Sequence, residues 1–523
     1  MIHGGLDSLT DLLDRARHAY GDDPAALEVL DGFDARLQEP LRIAIAGIVK
    51  AGKSTLLNAL IGERIAPTDA GECTRTVMWY RYGRTPKITM QLRDGETASL
   101  PVKRVQGDLK IELADYSPDE IDWIGIEWPS EHLRRTILID TPGIASLSTV
   151  TSARSTDLLT PASSPTEADA IVYMLRHLHA ADIHFLEAFR DTAAGRSQSV
   201  NALAILSRAD ELGSGRIDSL ISAARIADRY RRDGELRALT LDVVPVAGLL
   251  AEGARTLSEG EYRAFRAIAG MDKKARDRLL LSVDRFQRRT DETDLSVEVR
   301  SRLLERFGIF GVRLAAALVR AGARDSTDLS ERMVQQSGLV ELQRFINDQF
   351  RSRTVALKAR GVLHGLELLI REKPVPASGA LLGDMEQIMT NSHDLRELGL
   401  LAQARTSVLA LSEADRADAE RVAGGSGTSA LQRLGLGESA TDDDIRARAA
   451  EILEHWHTIV QSPLTERATA ELGRVVIRSA EGALTELLPQ RDVDGSDAAD
   501  GAYGSRLAAP DVVPSGTPAQ GRW

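Results

Sequence analysis

Apolar residues recur along the chain at two different spacings, which predict two kinds of secondary structure. At the start, Leu6, Leu9, Leu13 and Ala16 follow one another at intervals of three or four residues, and a second such series ends before Pro40. This spacing places apolar side chains on one face of a helix. The pattern therefore predicts two amphipathic helices within residues 1–40.

Between residues 41 and 250, short apolar runs of strand length alternate with helical segments. The runs are Leu41–Ala46, Val77–Tyr82, Ile137–Ile139, Ala202–Leu206 and Val244–Val246. Such alternation is typical of an α/β domain with a mainly parallel sheet, in which ligands bind at the carboxyl ends of the strands. From residue 249 onward the apolar spacing is helical, so we expect a large helical region after this domain.

The loop after the first of these strands has a pattern that binds phosphate. Residues 47–54 read Gly-x-x-x-x-Gly-Lys-Ser between a strand and a helix. In such loops the backbone N–H groups surround the phosphates, the lysine reaches the β- and γ-phosphates, and the serine holds Mg²⁺. The predicted nucleotide-binding residues here are Gly47, Lys50, Ala51, Gly52, Lys53, Ser54 and Thr55.

A second candidate motif, Asp140-Thr141-Pro142-Gly143, follows the strand Ile137–Ile139. GTPases use an Asp-x-x-Gly turn in which the aspartate holds the Mg²⁺ shell and the glycine N–H contacts the γ-phosphate. An ordinary turn at a strand end has the same composition. The position in the strand order favours the nucleotide site, with Asp140 as a metal-shell residue and Gly143 beside the γ-phosphate.

The base of the nucleotide is predicted to contact Ser207-Arg208-Ala209-Asp210, which follows the strand Ala202–Leu206. GTPases carry Asn/Thr-Lys-x-Asp at this place, where the carboxylate accepts hydrogen bonds from guanine and the basic side chain covers the base. Asp210 agrees with that pattern, whereas Ser207 and Arg208 depart from it, and a helix N-cap is the alternative interpretation. Val246 and Ala247 resemble the weak last GTPase motif.

Residues 71–76, Gly-Glu-Cys-Thr-Arg-Thr, lie where GTPases carry a switch threonine. That threonine closes on Mg²⁺ and on the attacking water when GTP is bound. We assign this role to Thr74, because Thr76 directly precedes the strand Val77–Tyr82. Cys73, the single cysteine of the chain, is interpreted as a small buried residue.

Composition excludes several classes of protein. At 523 residues the chain is too long for one core, and a net charge of −12 argues against broad nucleic-acid binding. One cysteine excludes a disulfide framework within the chain. We find neither a signal peptide nor a run of about 18 apolar residues, so any membrane contact is expected to be peripheral.

The chain resembles bacterial dynamin-like proteins, in particular the mycobacterial isoniazid-inducible group. The resemblance rests on Lys50 in the phosphate-binding loop, Thr74-Arg75, Asp140-Thr141-Pro142-Gly143 and a large helical second half. It covers roughly Leu6 to Leu487. Other sequence segments that show the resemblance are Leu41–Ala44, Ala66–Ala70, Ser207–Asp210, Leu281–Phe286 and Gly424–Ser429.

The resemblance implies a P-loop GTPase head on a helical neck and stalk, with GTP or GDP and Mg²⁺ as ligands. It further implies pairing of heads, higher oligomers, peripheral work on lipid at the inner face of the plasma membrane, and a paralogous dynamin-like subunit as a candidate partner. The implied catalytic residues are Lys50, Thr74 and Gly143, and the implied metal-shell residues are Ser54, Thr74 and Asp140. Lys50 stands where eukaryotic dynamins carry a serine and is a candidate for neutralising phosphate charge; a solvent-facing lysine is the alternative.

The same resemblance suggests domain boundaries. We expect neck helices in 1–40, the head core in 41–250, a helical neck segment with the closing helix of the head in 251–350, a stalk in 351–490 and a disordered tail in 491–523. Two connectors, Pro376–Gly383 and Val422–Gly437, carry leucines that suit a membrane-contacting stalk tip, although leucines folded into the bundle are the alternative.

A basic helix is a further candidate for lipid contact. Residues 272–324 contain 13 Lys/Arg against 8 Asp/Glu, and Arg306, Arg313 and Arg320 recur every seven residues. The alternative is a packed helix with a solvated basic face. For the whole protein, the competing hypotheses are a soluble regulatory GTPase with a partner- or RNA-binding helical module, and a scaffold in which nucleotide is structural.

Overall fold

The fold is described from a computed structural model, which covers residues 2–67, 76–105, 107–113, 116–143, 158–159, 167–194, 201–213, 215–405 and 411–487. Within these ranges the strands are β1 (Leu41–Gly47), β2 (Val77–Tyr82), β3 (Lys87–Leu92), β4 (Thr97–Leu100), β5 (Lys103–Val105), β6 (Asp108–Lys110), β7 (Ile121–Trp128), β8 (Thr136–Asp140), β9 (Ala170–Leu175), β10 (Ala202–Ser207) and β11 (Val243–Val246).

Nine of these described strands form one sheet in the order β11-β10-β9-β1-β8-β2-β7-β3-β4. The five strands from β11 to β8 are parallel to one another, while β2 runs antiparallel to β8 and β3 antiparallel to β7. The prediction of a mainly parallel sheet is therefore confirmed. The remaining strands, β5 and β6, make a small antiparallel hairpin.

The helices of the described ranges surround this sheet and continue beyond it. They are α1 (Ile2–Ala19), α2 (Pro24–Gln38), α3 (Lys53–Ile61), α4 (Ala180–Ala194), α5 (Ser219–Arg232), α6 (Gly234–Leu239), α7 (Gly248–Arg255), α8 (Glu259–Gly270), α9 (Lys273–Leu279), α10 (Val283–Gln287), α11 (Val297–Arg320), α12 (Ser326–Gln336), α13 (Leu339–Phe345), α14 (Thr354–Glu372), α15 (Ser378–Asn391), α16 (His393–Arg405), α17 (Glu413–Val422), α18 (Ala430–Leu434), α19 (Asp442–Gln461) and α20 (Arg467–Leu487). Among them, none combines the length and apolarity needed to cross a lipid bilayer.

Opposite faces of the sheet are covered by different helices, because alternate residues of β1 point to opposite sides. Ile43 and Ile45 belong to the core that α3, α7, α8 and α11–α13 complete, whereas Ala44 and Ala46 belong to the core under α4–α6. The helices between residues 248 and 345 therefore pack directly on the α/β domain. A separate apolar cluster joins α1 and α2 to α14 and α15.

Helices α16 and α17 contact the head at α6 and the residue that follows it. The guanidinium group of Arg405 donates a hydrogen bond to the carbonyl oxygen of Thr240 at 2.9 Å, and Arg237 forms an ion pair with Glu420 at 2.9 Å. The last two described helices, α19 and α20, are joined by a turn that includes Pro463. Leu464 in that turn is 92% exposed.

In the two connectors considered as a stalk tip, the structure matches the alternative of leucines folded into the bundle for Leu381 and Leu434. Pro376–Gly383 is not a loop, because α15 begins at Ser378 and Leu381 is buried. In Val422–Gly437, Leu434 is fully buried and the carbonyl oxygen of Gly424 accepts a hydrogen bond from Arg353 at 2.8 Å. Leu381 and Leu434 are thus held inside the helical packing, whereas Leu382 is 41% exposed.

Two of the three regularly spaced arginines of the basic helix α11 bind other groups of the protein. Arg306 pairs with Glu261 of α8, and Arg313 donates to the carbonyl oxygens of Gly215 at 2.6 Å and Leu280 at 2.8 Å. The alternative interpretation of α11 as a packed helix therefore describes these two arginines, and Arg320 is exposed.

Candidate nucleotide site

The phosphate-binding loop depends on two glycines in conformations that other residues rarely adopt. Gly47 has a φ of +146°, and a Cβ atom there would lie 2.4 Å from the carbonyl oxygen of Met174 on β9. Gly52 has a φ of +98° immediately before α3 begins at Lys53. The loop therefore turns sharply from β1 into α3 and directs the N-terminus of α3 toward the carboxyl ends of the strands, where an anion is stabilised by unpaired N–H groups.

Sheet register brings the predicted site residues to one edge. Ile45 pairs with Asp140, Gly47 with Met174, and Ser207 with Val246. Because β1, β8, β9, β10 and β11 are parallel, their carboxyl ends meet at this edge, which is where α/β sheets bind ligands.

Lys53, Ser54 and Asp140 form a charged group at the centre of this edge. The Ser54 hydroxyl donates to Asp140 Oδ2 at 2.9 Å, and Lys53 Nζ donates to the Gly47 carbonyl oxygen at 3.4 Å. Burial raises the pKa of Asp140 to about 6, although Lys53 and the Ser54 hydrogen bond oppose the shift. Burial lowers the pKa of Lys53, and Asp140 opposes that change.

The donor set at Asp140 is suitable for a divalent cation. Asp140 Oδ1 is buried and has no hydrogen-bond partner among the residues that the structure describes, and the adjacent oxygen accepts from Ser54. A buried carboxylate oxygen without a partner is costly unless a cation or water completes it. Oxygen ligands from one carboxylate and one hydroxyl are the kind that Mg²⁺ takes beside phosphates, so the residues present fit Mg²⁺.

Gly143 lies directly against the phosphate-binding loop. A Cβ atom at this position would be 2.5 Å from Val49 Cγ2 and 2.9 Å from Val49 Cα. Only a glycine permits this approach without displacing one of the two segments. Thr141 fixes the start of the turn, since its hydroxyl donates to the Ile45 carbonyl oxygen at 2.9 Å.

Of the residues predicted to contact the base, Ser207 and Asp210 are buried, while the Arg208 side chain reaches the phosphate-binding loop. The Ser207 hydroxyl donates to the Leu175 carbonyl oxygen at 3.0 Å, so Ser207 joins the carboxyl end of β10 to that of β9. Burial raises the pKa of Asp210 to about 6. The Arg208 guanidinium group donates to the Lys50 carbonyl oxygen at 2.9 Å and to Glu211 at 2.7 Å.

The remaining predicted residues occupy the same neighbourhood. Ala51 is buried, and Thr55 lies 3.9 Å from the position of a Cβ atom on Gly248 at the start of α7. The Ala247 N–H donates to the Ser337 carbonyl oxygen at 2.9 Å. The Lys50 side chain is exposed, and Thr74, together with Cys73 and Arg75, lies outside the described residues.

Asn58 and its partner Glu252 support the site but were not predicted from the sequence. Buried Asn58 on α3 donates to Glu252 of α7 at 2.9 Å and accepts from the N–H groups of Ile65 and Ala66 at 2.9 and 2.7 Å. It thereby fixes the chain that leads toward residue 68. The available signal was a single amide side chain within the apolar run of residues 56–60.

Comparisons with known proteins identify relatives of this chain. The profile of the dynamin family matches residues 43–194. The chain is 41% identical over 462 residues to the isoniazid-induced protein IniC of Mycobacterium tuberculosis, which covers 88% of this chain and 93% of that protein. It is 33% identical over 119 residues to a bacterial dynamin-like protein of Nostoc punctiforme, covering 20% of this chain and 17% of that protein.

A solved structure described as an oligomerised bacterial dynamin pair, for long range sensing and tethering of membranes, aligns with a TM-score of 0.30 at 15% identity, covering 92% of this chain and 73% of that chain. The family assignment rests on the sequence relatives rather than on this alignment. The dynamin-family profile lies on the phosphate-binding edge, and the 41% identity extends over nearly all of the mycobacterial relative. The chain therefore belongs to the dynamin family of GTPases, as a bacterial dynamin-like protein related to isoniazid-induced protein IniC.

Proposed function

We propose that the edge formed by the carboxyl ends of β1, β8, β9, β10 and β11 is where this GTPase binds and hydrolyses GTP. The observation that carries the proposal is the contact of Ser54 with Asp140 beside the buried ammonium group of Lys53. Ser54, Asp140 and Thr74 hold Mg²⁺, which supplies neutralisation of phosphate charge when it is bound. Lys53 and the N–H groups at the start of α3 orient the phosphates.

Other residues of the chain act on the γ-phosphate and the base. The Gly143 N–H fixes the γ-phosphate, Thr74 orients the attacking water, and the Lys50 ammonium stabilises charge that develops on the phosphate oxygens. Asp210 accepts hydrogen bonds from guanine, the stem of Arg208 covers the base, and Val246 and Ala247 line its other side. Ile144, and not a glutamine, follows Gly143. This position therefore supplies no side chain that orients the attacking water, and the chain alone is a slow enzyme.

Self-assembly through paired heads completes the proposed activity. Four exposed apolar side chains, here called the head surface, offer an area for pairing beside the base-binding loop: Ile217, Ile221, Leu281 and Val283. The two chain segments meet at Arg313, which donates to the carbonyl oxygens of Gly215 at 2.6 Å and Leu281 at 2.9 Å. Exposed apolar groups clustered in this way favour a protein contact over free solvation.

The protein works on membranes as a peripheral protein of the inner face of the plasma membrane. Leu464, 92% exposed in the turn between α19 and α20, is the described apolar side chain best suited to enter a headgroup layer. A paralogous dynamin-like chain is a further partner. Hydrolysis moves the head against the helices and so remodels or maintains the membrane.

GTP turnover against protein concentration, with and without anionic liposomes, tests this proposal. We expect the rate per molecule to rise with concentration and with lipid. Ile221→Glu should abolish the concentration dependence, whereas Val29→Glu, at an exposed apolar residue of α2 outside the head surface, should leave it intact. Turnover that is flat and indifferent to lipid would overturn assembly and membrane work and favour a soluble regulatory GTPase. Loss of turnover in Lys53→Ala tests the nucleotide site separately.

A further inference from the structure

Helix α11 is interrupted next to the base end of the nucleotide site. Gly308 has a φ of +63° and a ψ of 172°, so helical geometry stops at this residue and resumes after it. This backbone conformation is essentially restricted to glycine. The interruption lies in the middle of a 24-residue helix and has no proline or chain end to cause it.

The interruption brings the backbone of α11 close to the carboxylate of Asp210, the residue proposed to recognise the base. A Cβ atom on Gly308 would lie 3.9 Å from Asp210 Oδ2 and 3.7 Å from Leu249 Cδ2. Asp210 is itself buried, with 6% of its surface exposed. Gly308 is thus part of the wall behind the Asp210 carboxylate, on a helix that begins nearly 90 residues later in the chain.

The half of α11 before Gly308 is fixed to the head from one side. The ring of Phe307 packs edge-on against Phe265 of α8 with centroids 5.1 Å apart. A Cβ atom on Gly253 of α7 would lie 2.7 Å from both the Arg306 carbonyl oxygen and the Phe307 ring. Such close backbone packing leaves this half of the helix little freedom to move.

The half after Gly308 holds the loop that follows Asp210. A Cβ atom on Gly215 would lie 3.2 Å from Ile309 Cγ2, and Arg313 donates to the Gly215 carbonyl oxygen at 2.6 Å. The carbonyl oxygen of Asp210 lies 3.7 Å from the same Gly215 position. If α11 were continuous through Gly308, the directions of Ile309 and Arg313 would change, and this support would move with them.

We infer that Gly308 is a positioning residue for guanine recognition: the interrupted helix α11 fixes the Asp210 carboxylate from behind and so sets the preference for the base. This inference rests on the proposed role of Asp210. A carboxylate accepts from both the N1–H and the 2-amino group of guanine, so a fixed carboxylate discriminates against hypoxanthine, which lacks the amino group.

The test compares the dissociation constants of GTP and ITP, measured with Mg²⁺ by competition titration on the full chain. In the natural protein we expect GTP to bind about tenfold more tightly than ITP, because one charge-assisted hydrogen bond is lost with ITP. Gly308→Ala should lower this ratio at least about threefold. Gly322→Ala is the matched control, since Gly322 also has positive φ, at +96°, but has open space around its Cβ position; its ratio should be unchanged.

Two further variants make every outcome decisive. Arg313→Lys keeps the positive charge but loses the guanidinium group that donates to the Gly215 carbonyl oxygen. It should lower the preference for GTP over ITP even if Gly308→Ala fails to fold. Asp210→Asn should bring the ratio close to one. If Asp210→Asn does so while Gly308→Ala and Arg313→Lys keep the natural ratio, the inference about α11 is wrong and the proposed base site stands. If Asp210→Asn leaves the ratio unchanged, the proposed base site is itself wrong.

Discussion

The guanidinium group of Arg208 donates a hydrogen bond to the carbonyl oxygen of Lys50 at 2.9 Å, which joins the proposed base-binding loop to the proposed phosphate-binding loop. Within the described part of the chain, Lys50 at +64° and Arg208 at +54° are the non-glycine residues with positive φ. Backbone in this region costs on the order of 1–3 kcal/mol for a residue with a side chain. The two ends of the site are therefore held together by two strained residues that contact each other.

Lys50→Ala and Lys50→Gly separate the charge of Lys50 from its backbone strain. Both variants lose the ammonium group, and we expect both to lower kcat at least about tenfold with little change in GTP affinity, since a cation at this place stabilises developing phosphate charge. Lys50→Gly should melt at a higher temperature than Lys50→Ala, because glycine accepts positive φ without a Cβ clash. Normal kcat in Lys50→Gly alongside low kcat in Lys50→Ala would assign the effect to the backbone instead.

The sequence allowed site residues to be predicted where their chemistry is local, whereas residues that act through distant partners were not predicted. Lys53, Ser54 and Asp140 stand in short patterns with a known chemical meaning. In the structure Ser54 donates to Asp140, and Lys53 donates to the carbonyl oxygen of Gly47. Gly308 and Asn58 have no such pattern. Their roles depend on Asp210 and Glu252, which are far away in the chain and near only after folding.

The segment Pro376–Gly383 shows why local signals misled the fold prediction. One proline and two glycines favour a loop, but Pro376 lies before the first turn of α15, where a proline is tolerated. Each glycine costs about 1 kcal/mol in a helix. Burial of Leu381 and Met385 in the apolar cluster with α1 offsets that cost.

Asp140 should make Mg²⁺-dependent GTP binding sensitive to mild acid. Its pKa is raised by burial to about 6, so the carboxylate takes up a proton as the pH falls through about 6 and can no longer hold the cation. At pH 5 the gain in GTP affinity caused by Mg²⁺ should be about tenfold smaller than at pH 7.5. Titrations of GTP with Mg²⁺ and with EDTA at each pH give the ratio of the two GTP affinities. Because protonation of Asp210 acts on both titrations, its effect cancels in this ratio. A ratio that is constant from pH 7.5 to pH 5 would contradict the prediction.

Asp210→Asn should stabilise the protein in the absence of nucleotide. The folded-state pKa of about 6 lies above the usual value of 3.8, so the folded protein binds a proton more tightly than the unfolded chain, and ionised Asp210 lowers the free energy of unfolding above pH 6. We expect the variant to gain about 1–3 kcal/mol at pH 7.5. The gain should shrink toward zero as the pH falls below 4. Urea unfolding at both pH values measures it, and a variant less stable than the natural protein at pH 7.5 would refute the argument.

Asp169 connects the head to one helix that precedes it in the chain and to one that follows it. It precedes β9 and is fully buried, where its Oδ1 accepts from Arg36 of α2 at 2.7 Å and its Oδ2 lies 3.6 Å from Lys358 Nζ of α14. Burial alone would raise the pKa of Asp169, but the charges of Arg36 and Lys358 hold it below the usual value. The carboxylate therefore compensates two buried cations at once.

Asp169→Ala should consequently destabilise the protein by about 3–5 kcal/mol, because it leaves both cations buried without a counter-charge. The matched control is Asp443→Ala, which removes a carboxylate from the exposed ion pair with Arg446 and should change stability by less than about 1 kcal/mol. Adding Lys358→Met to Asp169→Ala should recover part of the loss, since it removes one of the uncompensated cations while keeping an unbranched side chain of similar size. Urea unfolding of the three variants measures these differences. If the double variant is no more stable than Asp169→Ala alone, the loss arises from the hydrogen bonds of Asp169 to the backbone of Arg42 rather than from unpaired charge.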